Sequence, residues 1–203
     1  MHMARGLRVD LPDLTYHAWA HSISGCILFR DAIDKDMALR LLREEVKLSD
    51  WTCLAYVVMS THYHVLLRLK KATLSSGFMR LNLRYARYYN QRYELRGHVF
   101  DRRFQTRVVE GPGDELETAR YIALNPTRAN MCRLPEDYGW SSYGATIGIY
   151  PTDPIIDTKA ALGPIGGSRS AYRRFVEELD PRLRRGQVRT RSPGPAQPVR
   201  PRR

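Results

Sequence analysis

Met59–Leu69 reads MSTHYHVLLRL, and how this stretch is read decides the fold. From His62 onward it alternates as a β-strand does, with successive side chains on opposite faces. Tyr63, Val65, Leu67 and Leu69 make one apolar set, suited to a core. His62, His64, Leu66 and Arg68 make the other, too polar for an ordinary buried face. Two imidazoles at i and i+2 can offer neutral nitrogen donors to one metal ion. The same spacing also suits two half-exposed histidines on an open sheet face, so the pair alone does not fix its use.

Upstream, Trp51–Met59 is a continuous apolar run, as in a strand buried on both sides. Only Ser60-Thr61 separates it from His62, which predicts a hairpin. Thr15–Ile23 (TYHAWAHSI) predicts a first strand, followed by Ser24-Gly25. Along it, His17, Trp19 and His21 share one face, where they line the groove of the histidine pair, lie in the core, or support the histidine pair from behind. Asp34–Leu48 carries Ala38, Leu41, Leu42 and Val46 at helical spacing.

Downstream, Thr73–Tyr93 predicts a long amphipathic helix, with Leu74, Phe78, Leu81, Tyr85 and Tyr88 as its stripe and Gly97 beyond it. Phe104–Val109 is a short strand candidate before the turn Gly111-Pro112-Gly113. Asp114 then suits an N-cap, with Glu117 completing a capping box, and Pro126 predicts an end near Asn125. The order strand, helix, strand, strand, helix, strand implies an α+β fold: a ferredoxin-like antiparallel sheet with helices on one face. Residues after about 127 read as an appendage, with Trp140-Ser141-Ser142-Tyr143 and a helix near Ser168–Leu179.

Charge is unevenly spread. The formal net charge is +12, from 33 basic and 21 acidic residues. Residues 181–203 contain eight arginines and no acid, which leaves +4 for the rest. That Pro/Gly/Arg-rich end cannot bury a core and is expected to be disordered. It suits a polyanionic partner or serves as a solubilising end. Cys26, Cys53 and Cys132 are odd in number and form no C-x-x-C, against a disulfide framework or thiolate zinc site. No apolar run reaches the roughly 18 residues of a membrane span, and no signal peptide is visible. The expectation is a cytoplasmic, nucleoid-associated protein with no membrane partner.

Ala119–Asn130 (ARYIALNPTRAN) adds a second polar pair. Tyr121 and Asn125 are four apart and share a helix face. If that helix crosses the open sheet face, a phenol and an amide meet the two histidines. The spacing by itself better suits a core tyrosine and an asparagine closing the helix before a proline.

MSTHYHVLLRL, then LRYARYYNQRYELRGHVFDRRFQTRVV, RYIALNPTRAN and EDYGWSSYGA together resemble the REP-associated tyrosine transposases, of the single-tyrosine HUH transposase superfamily. The resemblance covers roughly residues 4–145 in the family's order. It implies a divalent metal, Mg2+ or Mn2+, and cleavage and rejoining of single-stranded or hairpin DNA through a 5′-phosphotyrosine. It implies His62 and His64 as the His-hydrophobic-His metal ligands, Asn125 as the third ligand and Tyr121 as the nucleophile. One departure stands out: where the family often has Arg-Gly-Asn after the first strand, this chain reads His21-Ser22-Ile23-Ser24-Gly25.

On this reading residues 1–145 are the catalytic domain, 146–180 a C-terminal appendage and 181–203 the tail. DNA contacts are expected from Arg80, Arg84 and Arg87 on the long helix and from Arg102, Arg103 and Arg107 around the last strand. His98 and Phe100 are stacking candidates, as is Tyr89. The assembly is expected to be a monomer or homodimer. Two rivals remain: a hairpin-binding module of this fold without chemistry, and a zinc hydrolase using His62 and His64. The second is disfavoured by the lack of a nearby carboxylate base.

Overall fold

The computed structural model describes residues 10–23, 26–151 and 153–178. The Ser24-Gly25 turn and the expected tail, 181–203, lie outside these residues. The chain runs β1 (Thr15–His21), α1 (Ala32–Leu48), β2 (Trp51–Val58), β3 (His62–Leu69), α2 (Leu74–Arg92), β4 (Gln105–Val109) and α3 (Gly111–Arg128). Short helices follow: α4 (Tyr143–Thr146), α5 (Thr158–Leu162) and α6 (Arg169–Glu178). The four strands lie in the order β2-β3-β1-β4, every neighbouring pair antiparallel. That is the ferredoxin-like α+β sheet expected from the element order, with helices on both of its faces and not on one. Among the described residues no helix is long and apolar enough to cross a membrane.

The strand alternation sorts the side chains into two cores. Tyr16, Ala18 and Ala20 of β1 join Tyr63, Val65, Leu67 and Leu69 of β3 beneath α1 and α2. Phe78 of α2 is fully buried there, stacked on Trp51 and Phe104 at 5.1 and 4.7 Å between ring centroids. The helix comes that close because of Gly77: a Cβ at this position would run into the Trp51 ring. Asp34, on the first turn of α1, is fully buried and accepts from Tyr88 Oη (2.9 Å), Tyr93 Oη (2.7 Å) and Arg30 N (2.9 Å), with Arg92 as its ion pair. The carboxylate thus replaces its lost water with several donors and ties α1 to α2.

The opposite face is covered by α3, with α4, α5 and α6 around it. Leu54, Ala55, Val57 and Met59 from the β2 region, and Leu66 of β3, meet Ile122, Ala123 and Leu124 of α3 there. Tyr143, Leu162, Tyr172 and Val176 complete this second core. Burial on both faces explains why Trp51–Met59 is apolar throughout rather than alternating. The outer edge of β2 is lined by the same C-terminal region. Trp140 O accepts from Val58 N (2.9 Å), Tyr56 O from Ser142 N (3.0 Å) and Cys53 O from Asp157 N (2.9 Å). Ser142 Oγ accepts from Tyr56 N (3.0 Å) and Tyr138 Oη donates to Val58 O (2.8 Å).

Two sequence expectations for α3 need correction. The helix starts at Gly111, with Pro112 in its first turn, and not at Asp114. It also passes through Pro126 to Arg128. Proline lacks an N–H and so cannot bond the carbonyl four residues back, but in the last turn the loss stops there. The Pro126 ring is buried, and Ala129 N still donates to Asn125 O at 3.0 Å. Asp114 is not the N-cap residue; it accepts from Arg107 of β4 at 2.6 and 2.9 Å and from the amide of Glu110, the N-cap, at 3.0 Å.

Candidate active site

The register of the sheet gathers four histidines. β1 and β3 pair His21 with His62 and Trp19 with His64, so these residues share the face turned away from α1 and α2. His17, two residues before Trp19, lies on the same face. Its Nε2 is 2.9 Å from Nδ1 of His64. The His62 and His64 rings are 5.0 Å apart, and His21 lies 4.8 Å from His62.

Above them runs α3, anchored at its N-terminal end by two charged contacts. Glu115 accepts from Arg68 of β3 (2.8 Å) and Thr15 of β1 (2.6 Å). Arg107 holds Asp114 and also donates to Thr118 at 2.7 Å. The buried Ala119, Ile122 and Ala123 face the second core. Tyr121 and Asn125 then come to the histidine pair from the same helix. Tyr121 stands edge-on to His64 at 5.4 Å and to His17 at 5.9 Å, and Asn125 Oδ1 is 3.4 Å from His62 Nε2. Tyr121 remains 41% exposed, whereas Tyr63, Tyr85 and Tyr89 are buried in the first core. Tyr89, a stacking candidate in the sequence, donates instead to Ile27 O at 2.9 Å.

Electrostatics favour neutral imidazoles. Burial pulls His17 down to about 4, helped by the Arg107 charge and opposed by Asp114. Burial pulls His64 down to about 2, with His17, His62 and His21 adding to the effect. His62 is lowered by burial and by His21, against the Asn125 contact. A neutral imidazole keeps a nitrogen lone pair for a ligand.

Among the described residues no group of three or more His, Cys, Asp or Glu side chains is arranged to hold a metal ion. The set implied by the resemblance uses an amide as its third member. An octahedral ion with ligands at about 2.1 Å sets neighbouring donor atoms about 3 Å apart. The 3.4 Å between His62 Nε2 and Asn125 Oδ1 is close to that spacing. His62 Nδ1 lies 3.0 Å from Thr61 Oγ1 and His64 Nδ1 2.9 Å from His17 Nε2, which leaves Nε2 as the nitrogen each ring has for a cation, that of His62 already against Asn125 Oδ1. That one spacing is compatible with a small divalent cation.

The expected DNA contacts fall into two groups. Val99–Asp101 runs past the end of β1, with Val99 O accepting from Ile23 N and Asp101 N donating to His21 O, both at 3.1 Å. His98, Arg102 and Arg103 are exposed around this segment. Arg107 is opposite His17 in the β1–β4 register. Phe100 is committed elsewhere, edge-on to Tyr63 at 6.4 Å. Arg80, Arg84 and Arg87 lie on α2, across the sheet from Tyr121. Arg80 is paired with the buried Glu45 (2.6 Å) and Arg84 with Glu44 (2.5 Å). Two of the three stripe positions are therefore in ion pairs between α1 and α2, and among the other candidates Arg102 is paired with Asp101 (3.0 Å) and Arg107 with Asp114 (2.6 Å).

Several residues of this face were not assigned from sequence. Trp19 Nε1 donates to Gln105 Oε1 at 2.8 Å, and the Arg128 guanidinium lies 5.9 Å from the centre of the Tyr121 ring. The His17–His64 contact was equally hidden. Alternation places His17 on the right face, but only the β1–β3 register brings it to His64.

Sheet order and site geometry define a ferredoxin-like protein whose histidine face is crossed by a tyrosine-bearing helix. The family model described as "Transposase IS200 like" matches residues 12–125, more than half of the chain. The chain belongs to the IS200-like transposase family. Among solved structures it is similar to one described as a REP-associated tyrosine transposase bound to a REP hairpin. The TM-score is 0.61 at 17% identity, covering 74% of this chain and 90% of that one, a likeness of fold. No curated protein matches the sequence.

Proposed function

We propose that this transposase is a metal-dependent single-stranded DNA endonuclease and strand-transfer enzyme. It cleaves and rejoins DNA at hairpin repeats through a 5′-phosphotyrosine intermediate. The observation that carries the reading is the meeting of an exposed Tyr121 with His62, His64 and Asn125 on one sheet face. In the cleavage step Tyr121 Oη attacks phosphorus and the bond from phosphorus to the 3′ oxygen breaks. The phenolic proton leaves to water and the departing oxygen is released as a 3′-OH. Rejoining is the reverse: a 3′-OH attacks the adduct, the tyrosine–phosphorus bond breaks and the phenol regains its proton. One ester replaces another, so covalent catalysis conserves the bond needed for transfer.

His62 Nε2, His64 Nε2 and Asn125 Oδ1 are the proposed ligands of Mg2+ or Mn2+, which when bound supplies Lewis-acid charge at the phosphate oxygens. Burial keeps both imidazoles neutral and ready to act as donors. Packing of α3 against the second core orients Tyr121 towards the histidines. Arg102, Arg103, Arg107 and His98 flank the face and are proposed to hold the DNA. The hairpin carried by the solved transposase of the same fold supports hairpin DNA as the partner.

The test is a denaturing gel of the protein with end-labelled hairpin DNA and Mn2+. A covalent protein–DNA band is expected from the wild type and from Tyr89→Phe, and none from Tyr121→Phe, which should bind the hairpin within about two-fold of wild type. An adduct in Tyr121→Phe would remove Tyr121 as nucleophile. No adduct from the wild type with either metal would favour a hairpin-binding module without chemistry.

A further inference from the structure

His17 is buried, with 7% of its surface exposed, and is given no role by the chemistry above. Its Nε2 lies 2.9 Å from Nδ1 of His64. A neutral imidazole carries one proton, on one nitrogen or the other. For His64 to offer the lone pair of Nε2, its proton must sit on Nδ1. Nδ1–H then donates to His17 Nε2, which accepts, and the His17 proton resides on its own Nδ1. The opposite arrangement, His17 Nε2–H donating to His64 Nδ1, puts the His64 proton on Nε2 and closes that nitrogen to a cation.

We propose that His17 is a positioning residue: it accepts the Nδ1–H of His64, fixing the tautomer and ring orientation in which His64 Nε2 faces the Tyr121–Asn125 side of the site. The role rests on the metal-ligand reading above. Ligating histidines commonly pass their second ring N–H to a fixed acceptor, and removing that acceptor weakens metal affinity by roughly 10- to 100-fold. Carboxylates and carbonyls usually fill this place; here an imidazole from the neighbouring strand does. Packing holds the acceptor still. His17 lies against Trp19 at 4.8 Å, and Trp19 is pinned by its bond to Gln105.

Two variants separate acceptor from bulk. His17→Phe keeps a ring and removes the acceptor. His17→Gln places an amide oxygen near the lost Nε2 and retains it. The first readout needs no metal: 15N-resolved NMR of the imidazoles at pH 7.5 in metal-free protein. Wild type and His17→Gln should show His64 as the Nδ1–H tautomer, and His17→Phe should lose it. The second is Mn2+ affinity by electron paramagnetic resonance, expected to fall about 10- to 100-fold in His17→Phe and to stay within about three-fold in His17→Gln. An Nε2–H tautomer in the wild type overturns the inference whether or not either variant folds. So does a His17→Phe protein with unchanged tautomer and affinity. If the wild type binds no Mn2+ yet shows the His17-dependent tautomer, the metal-ligand reading falls and the positioning by His17 stands.

Discussion

The two faces of β3 are built from the same eight residues and have opposite chemistry. Tyr63, Val65, Leu67 and Leu69 enter a core of aliphatic and stacked aromatic side chains, where Tyr63 donates its hydroxyl to Asn82 at 2.6 Å. His62, His64, Leu66 and Arg68 face α3, and all but Leu66 make polar contacts. The first face is closed by ring stacking and by the Asp34 cluster between α1 and α2. The second keeps a tyrosine and a pair of imidazoles at its open end. One strand therefore divides stability from chemistry with a period of two, so substitutions one residue apart should have separable effects.

The largest separation is expected between residues on opposite faces of the strand. His64→Ala should lower adduct formation to below about 1% of wild type while hairpin affinity changes less than about three-fold, because binding is spread over several arginines. Single-turnover cleavage beside a binding titration checks this, and parallel loss of both in a folded variant would contradict it. Leu67→Ala should do the reverse. Its side chain is fully buried, so the truncation should cost about 2–5 kcal/mol of stability, read by urea unfolding, with adduct yield per folded molecule unchanged.

A smaller effect should divide the arginines. Arg102→Gln should weaken hairpin binding a few-fold and reduce the slope of log affinity against log salt by roughly 0.7. Arg84→Gln, across the sheet and paired with Glu44, should change neither. Equal effects from both would place DNA on the α2 face as well.

The smallest effect concerns how α3 is anchored. The Arg107 guanidinium holds the Asp114 carboxyl down to about 2, below its ordinary 3.8, with the Glu110 amide helping and burial opposing. A carboxylate with a lowered folded-state pKa stabilises above the unfolded value, and that contribution is lost as pH falls from about 3.8 through 2. The pair is partly exposed, so the amount is at most about 1 kcal/mol. Asp114→Asn should lower Tm slightly at pH 7 and converge with the wild type near pH 2. A constant difference would show that Asp114 acts through packing.

Periodicity carried most of this architecture. The limits of β3 match the sequence expectation, and α1, β2, α2 and α6 differ from it by a residue or two at their ends. The two polar pairs, His62 with His64 and Tyr121 with Asn125, were visible because each lies within one element. What stayed hidden depends on partners distant in the chain. Pro126 reads as a helix end unless its burial in the second core is known. Asp114 reads as a cap until β4 brings Arg107 to it. The α2 arginines read as a cationic stripe until Glu44 and Glu45 of α1 are placed beside them.

The outer edge of β2 bears on where the chain can be cut. The family match ends at residue 125, yet the groups that close this edge come from Tyr138, Trp140, Ser142 and Asp157. A fragment stopped at the match boundary would leave Cys53 O, Tyr56 N and O, and Val58 N and O open along an apolar strand. An unprotected edge of that kind is a template for another chain to add a strand. The stretch of homology is thus shorter than the unit that closes its own sheet edge, and expression trials trimmed to it should yield aggregates with a cross-strand backbone signature.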